Sequence, residues 1–262
     1  MPTGDGFGDP ASATDGPDPE LVLHHLLHIL QARTGQMAVV IIQQLCDRGT
    51  LDAAIRKHCF REGPTWSARL ARRALLRTAA ELARGLQHLH CMGVVHGDLK
   101  PANVLLLSSK DDRRGFTVKV TDFGLSHVLP PLNSFVTTQT WGSPGYMAPE
   151  AFSGKVSRAT DVWAFGVCLW EMLTGNRPYA GVKASDVVVW VQQGSLKLRW
   201  PEGADDMQLS QLGRRCLSFA PEGRPTFNEI VEELVLIERT IRAGLLAENA
   251  RQAPDTATVA PQ

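Results

Sequence analysis

The sequence has no surplus of either charge, few aromatics, no paired cysteine motif and no long apolar run. Lysine plus arginine number 27, and aspartate plus glutamate also number 27. No bulk field therefore steers the chain to nucleic acid or to anionic lipid. Five cysteines, Cys46, Cys59, Cys91, Cys168 and Cys216, are scattered without a CxxC pair. Free thiols in a reducing compartment are expected rather than a disulfide frame. No apolar run approaches the roughly 20 residues a membrane helix needs. The opening "MPTGDGFGDPASATDGPDP" has no basic stretch leading into an apolar one, which argues against a secretory leader. The expectation is an intracellular protein, cytoplasmic first, with no nucleic-acid or membrane partner. No lysine precedes Lys57, an absence that gains its meaning from motifs farther along the chain.

What is there is ordinary globular material. The chain has 262 residues, 44% hydrophobic and 21% charged, which allows one or two domains with a sizeable core. Residues 1–19 are Gly, Pro, Asp and Ser/Thr with little to bury and read as a disordered leader. Residues 21–31 ("LVLHHLLHILQ") and 37–42 ("MAVVII") are apolar runs. The second is short and β-branched, and with Gly35 between them the pair reads as a hairpin. For 20–32 the alternative is a helix. Thr50 is a candidate N-cap for a short helix over 50–60. From Ser67 to His90, Leu70, Ala74, Leu75, Leu82, Leu86 and Leu89 recur at helical steps. Short β-type runs follow at 94–95, 104–107 and 116–120. Residues 125–157 carry four prolines without sustained period and read as a long loop, which inside a domain is usually functional. Helical patterns return at 159–174, with Gly175 as the stop, and near 184–193, 206–218 and 226–244. The tail 246–262 is polar and reads as disordered. Short strands first and helices after make the expected class α+β.

The chemistry concentrates in "HGDLKPAN" (96–103) and "DFG" (122–124). Asp98 can hold a hydroxyl by hydrogen bond or take its proton. Lys100 is a point charge able to neutralise an anionic oxygen. Asn103 and Asp122 offer hard oxygens suited to Mg²⁺, which takes few protein ligands and the rest from water and phosphate. One Asn and one Asp make a sufficient metal–phosphate cradle and leave Asp98 to orient a nucleophile.

With "APE" at 148–150, these stretches in this order resemble the eukaryotic protein kinase family, whose set is H-R-D-L-x-x-x-N, D-F-G and A-P-E. The resemblance extends over roughly 21–240. "DVWAFGVCLWEMLTGNRPY" (161–179) resembles the buried anchoring helix of the C-lobe, where Asp161 is a structural support. "CLSFAPEGRPTF" (216–227) resembles the segment whose Arg, here Arg224, pairs with Glu150. "DLKPAN" and Ser143 in "GSPGYMAPE" resemble the Ser/Thr type, and the general texture resembles the tyrosine-kinase-like group. The resemblance implies a protein-kinase-like fold with a mainly helical C-lobe (47–245) and a remnant N-lobe hairpin and hinge (20–46). It implies ATP and Mg²⁺ as cofactors and a protein partner with a Ser/Thr acceptor. Asp98, Lys100 and Asn103 become catalytic, and Asn103 and Asp122 hold metal. "IIQQLCDRGTL" (41–51) resembles the hinge, with Gln43 as gatekeeper and backbone groups of Gln44 and Cys46 binding adenine. A hydroxyl at Ser143 would bond the catalytic Asp and Lys.

Three departures qualify that picture. Gly97 stands where the family commonly has an Arg that pairs with an activation-loop phosphate, so a phosphate on Ser134, Thr137, Thr138 or Thr140 has one fewer cation to meet. The strand-borne phosphate-binding Lys is absent from its expected place. "GDGFG" (4–8) only imitates a Gly-rich loop, lacking the spacing and the following strand. Three N-lobe strands and a helix are therefore expected to be missing. Besides a kinase, the alternatives are an impaired pseudokinase or scaffold, and an incomplete gene model of a longer kinase.

Overall fold

The computed structural model describes residues 18–252, except 34, 38, 40, 64–66, 113, 132 and 204–206, with side chains as far as residue 243. The "GDGFG" stretch and the tail beyond 252 lie outside the described residues. The chain divides into two compact units, one ending at Gln44 and one beginning at Leu45.

The first unit differs from the expected hairpin. Residues Pro19–Ile29 form helix α1, and the described residues of 37–46 take no regular structure. Local chemistry favours the helix. Asp18 caps it by accepting from the N–H of Glu20, Pro19 sits in the first turn, Glu20 is acidic there and His28 lies in the last turn. These groups complement the orphan amides and the helix dipole. A strand would need a partner to satisfy its backbone, whereas a helix satisfies its own. None of the residues of α1 is buried.

The second unit is mainly helical, as expected. Helix α2 (Leu51–Arg56) is capped by the Thr50 hydroxyl, which accepts from the N–H of Ala53. Helix α3 (Ala68–Cys91) is capped by Ser67 and buries Ala71, Ala74, Leu75, Leu82 and Leu86 along one face. Leu70, expected on that face, is instead half exposed. Helix α4 (Arg158–Thr174) opens on a capping box made by Ser157 and Thr160 and stops at Gly175. It is buried almost all round, the mark of a helix inside the core. Helices α5 (Ala184–Gln192), α6 (Met207–Cys216) and α7 (Phe227–Gln252) complete the body. The continuation of α7 to Gln252 overruns the start of the expected disordered tail. Phe165, Leu169, Met172, Leu212 and Ile230 fill the centre. Trp163, Trp170 and Trp200 are buried, while Trp190 is 41% exposed.

Three two-stranded ribbons lie on this body. Strands β2 (Val104–Ser108) and β3 (Phe116–Val120) pair antiparallel with Val104 opposite Val120. Strand β1 (Val94–Val95) pairs with β4 (His127–Val128), and β5 (Phe135–Thr137) with β6 (Lys155–Ser157). The expected long loop 125–157 is therefore tethered at 127–128 and 135–137. Polar clasps hold the β2–β3 turn. Arg114, its side chain 3% exposed, bonds Asp112, Glu81 and Thr78. The Asp112 carboxyl is held below the usual carboxylate range, chiefly by its hydrogen bonds from Arg114.

Candidate active site

The β2–β3 register builds the site. Asn103 immediately precedes β2, and Thr121 follows β3. The Thr121 N–H donates to the Asn103 carbonyl at 3.0 Å. Asp122 thus emerges one residue beyond Asn103's partner, so the hairpin's open end carries both proposed metal ligands. "VLLL" and "FTVKV" pair strongly enough to do this because each offers β-branched or aliphatic residues to the body below.

The loop before β2 is fixed by Asp161 at the start of α4. Asp161 is 1% exposed. Its carboxylate accepts from the backbone N–H of His96 at 2.8 Å, from that of Gly97 at 3.0 Å and from His90 Nε2 at 2.9 Å. A buried carboxylate requires such partners, since an unpaired one would be very costly. His96 is fully buried. Its Nε2 donates to the Thr121 carbonyl at 2.9 Å, and its Nδ1 accepts from the Asp98 N–H at 3.3 Å. Those roles define the neutral Nε2–H tautomer. The His96 ring also lies 5.4 Å from that of Phe123. One histidine thereby ties the "HGD" and "DFG" stretches together.

Asp98 points into a polar clasp. Lys100 Nζ donates to Asp98 Oδ2 at 2.7 Å and to Ser143 Oγ at 2.8 Å. Asn103 Nδ2 donates to Asp98 Oδ2 at 3.2 Å and to the Asp98 carbonyl at 2.8 Å. The Ser143 N–H donates to Asp98 Oδ1 at 2.8 Å. The expected Ser143 hydroxyl contact is thus made to Lys100, and the contact to Asp98 comes from the Ser143 backbone. With its nitrogen committed to Asp98, the Asn103 side chain has its amide oxygen left as a hard ligand.

Two glycines permit this closeness. Gly97 has φ +79°, and a Cβ there would stand 2.6 Å from the Leu125 carbonyl. A side chain at 97 would strain the backbone and push against the segment after "DFG". Gly142 is packed so closely that a Cβ would lie 3.0 Å from both Asp98 Oδ1 and the Gly97 carbonyl. Sequence reasoning missed Gly142, because nothing in "TWGSPGY" announces that its backbone touches a residue 44 positions earlier.

Asp122 is less constrained. It is exposed, has φ +64°, and its Oδ1 accepts only a long bond from the Gly124 N–H at 3.4 Å among the described residues. Cys46 is half-buried and sits one residue before a clamp. The Ser108 N–H donates to Asp47 Oδ1 at 2.8 Å and the Arg48 N–H to the Leu106 carbonyl at 3.0 Å. The Ser108 bond holds the Asp47 carboxyl low. Gln44 is exposed at the end of the first unit, and Gln43 is exposed beside it.

The segment after the site is anchored as the sequence led one to expect at Glu150. Arg224, its side chain fully buried, makes a two-pronged pair with Glu150 at 2.6 and 2.9 Å. A second anchor was not foreseen. The Tyr146 hydroxyl donates to Glu171 Oε2 at 2.8 Å beneath the loop. The proposed metal set fits what is present: two hard oxygens at one end of a hairpin, beside a carboxylate already occupied by its own donors. Among the described residues no cluster of three or more His, Cys, Asp or Glu side chains is placed to hold a metal.

Comparison with known proteins places this geometry. A family model described as "Protein tyrosine and serine/threonine kinase" matches residues 20–234. The human mitogen-activated protein kinase kinase kinase 11 is 35% identical over 189 residues, covering 68% of this chain and 22% of that protein. A fibroblast growth factor receptor of Ciona intestinalis is 36% identical over 169 residues, covering 63% and 21%. A probable serine/threonine-protein kinase of Dictyostelium discoideum is 38% identical over 157 residues, covering 60% and 16%. The chain spans between 16% and 22% of the length of these curated relatives. No helix among the described residues is long and apolar enough to cross a membrane.

Proposed function

The chain belongs to the protein tyrosine and serine/threonine kinase family, and from that premise we propose that it is a Ser/Thr protein kinase domain of the tyrosine-kinase-like group. Kinases of this family use ATP, a divalent metal and a protein acceptor. The proposed reaction moves the ATP γ-phosphoryl group to a Ser/Thr hydroxyl. The acceptor oxygen forms a bond to the γ-phosphorus as the bond to the β–γ bridging oxygen breaks. ADP departs, and the hydroxyl proton passes to Asp98.

The single observation that carries this reading is the clasp on Asp98. Lys100, Asn103 and the Ser143 N–H fix its carboxylate between 2.7 and 3.2 Å. A fixed carboxylate can orient an acceptor hydroxyl without reorganising during the reaction. Lys100 is placed to follow negative charge from Asp98 toward the transferring group. Asn103 and Asp122 would hold Mg²⁺, which when bound neutralises phosphate charge. Backbone groups of Gln44 and Cys46 would take the adenine. A cytoplasmic location accords with five scattered cysteines and no CxxC pair.

A second reading keeps the fold and drops the chemistry. One assay separates the two. The purified chain is incubated with labelled ATP, Mg²⁺ and a generic Ser/Thr acceptor, beside Asp98→Asn. Transfer that vanishes in the variant supports the kinase reading. Absence of transfer together with no melting shift on adding Mg-ATP sinks it and leaves the scaffold.

A further inference from the structure

Away from Asp98, a cavity of about 320 Å³ opens in the second unit between α4, α5 and α6. Its apolar walls include Trp163, Tyr179, Leu198 and Trp200, and Lys197 and Arg214 stand among the lining residues. We propose that this cavity is a binding site for a small aromatic carboxylate, whose ring enters between the aromatic walls and whose anion meets Lys197 and Arg214.

Size comes first. About 320 Å³ lies at the lower end of the range for small-molecule pockets, enough for a one- or two-ring ligand. The wall is built rather than accidental. The segment from 195 to 201 is pinned at both ends: the Leu196 N–H donates to the Trp190 carbonyl at 3.2 Å, and Ser210 Oγ donates to the Pro201 carbonyl at 3.0 Å. Between them, Trp170 Nε1 donates to the Arg199 carbonyl at 2.7 Å. Tyr179 is held at φ +56°, a left-handed conformation unusual for an aromatic residue.

Polarity then selects the ligand. Lys197 and Arg214 are both exposed, and neither side chain takes part in any salt bridge or hydrogen bond among the described residues. Both charges are positive, and no acidic residue lines the cavity among the described residues. Trp163, 6% exposed, has an indole N–H with no acceptor among the described residues. Its ring face is already taken by the Arg224 guanidinium, 5.0 Å from the ring centroid. A buried donor without an acceptor is rare in folded proteins. Apolar surface and two unpaired cations together complement an aromatic ring bearing a carboxylate.

The test uses the full chain with ¹⁵N-labelled tryptophan indoles, titrated with 1-naphthylacetate and, separately, with its neutral amide. The expected result is a saturable shift of the Trp163 and Trp200 indole signals by the acid, with the amide about tenfold weaker because it lacks the charge. In a K197Q/R214Q double variant the acid should fall to the affinity of the amide. Both positions are exposed, so the melting temperature should not move, and the single variants carry the same comparison if the double variant fails to fold. Equal binding of acid and amide, no saturable shift of those two signals, or an acid preference that survives in the variants would each overturn the proposal.

Discussion

Asp98 and Asp122 are the two carboxylates of the proposed site, and their surroundings differ sharply. Asp98 has a side chain 10% exposed and is bonded by Lys100, Asn103 and Ser143. Asp122 is exposed in a left-handed conformation with one long bond to the Gly124 N–H. The difference accords with the roles proposed for each. A group that orients a hydroxyl gains from being fixed beforehand. A metal ligand gets its partner from the metal, which displaces any protein donor placed there first. Under the proposed roles, the carboxylate that meets the acceptor is held by the fold alone, and the metal-binding Asp122 has little to hold it.

That contrast can be broken from its strongest point downward. Asp98→Asn keeps the shape and removes the charge, and phosphotransfer should fall by about 10²- to 10⁴-fold, with a lowered melting temperature, because the new amide nitrogen must face one of the donors that the two carboxylate oxygens accept from. A normal rate in the variant would show that Asp98 does no acceptor work. Asp122→Asn should raise the Mg²⁺ needed for half-maximal transfer by at least about a hundredfold. Because Asp122 makes only one long hydrogen bond among the described residues, the same change should leave metal-free stability alone. A drop in metal-free melting temperature would contradict the contrast.

Gly142→Ala probes the clasp without replacing a catalytic group. The new Cβ, 3.0 Å from Asp98 Oδ1 and from the Gly97 carbonyl, should move the carboxylate by a few tenths of an ångström and lower kcat about tenfold. KM for ATP should hold steady. Equal losses in kcat and in ATP affinity would mean the loop had collapsed rather than shifted.

A third carboxylate sharpens the comparison with the smallest effect. Glu171 is 2% exposed. Burial pushes its carboxyl up, more than the Tyr146 hydrogen bond, Arg177 and Arg56 draw it down. The folded state therefore binds this proton more tightly than the unfolded chain does. Its contribution is whole below the ordinary glutamate value of 4.5 and is lost as pH rises through the higher folded value. Glu171→Gln keeps an acceptor for Tyr146 and removes the titration. The stability of the wild type should decline relative to the variant on raising the pH above the ordinary glutamate range. Parallel stability curves for the two proteins would refute this account.

Much of the body was legible because its signals are local. Thr50 and Ser67 announce helix starts through side chains that cap within three residues. "HGDLKPAN", "DFG" and "APE" identify the site because its chemistry requires particular residue types in chain order. The first unit was misread for a matching reason. "MAVVII" has strand composition, but composition cannot supply a pairing partner, and the neighbouring "LVLHHLLHI" took the structure its own cap and dipole favour. Gly142, Tyr146 and Glu171 stayed hidden because their roles depend on contacts across long stretches of chain.

The sequence by itself determined the family, the residue types of the proposed site and the periods of the helices in the second unit. Those depend on chemistry and on neighbours a few residues apart. Tertiary structure alone decided which carboxylate is clasped and which is open, that position 97 has no room for a side chain, and where a second cavity forms. Each of these turns on distances between residues far apart in the chain. Packing sets those distances, because a dense interior fixes atoms to within tenths of an ångström.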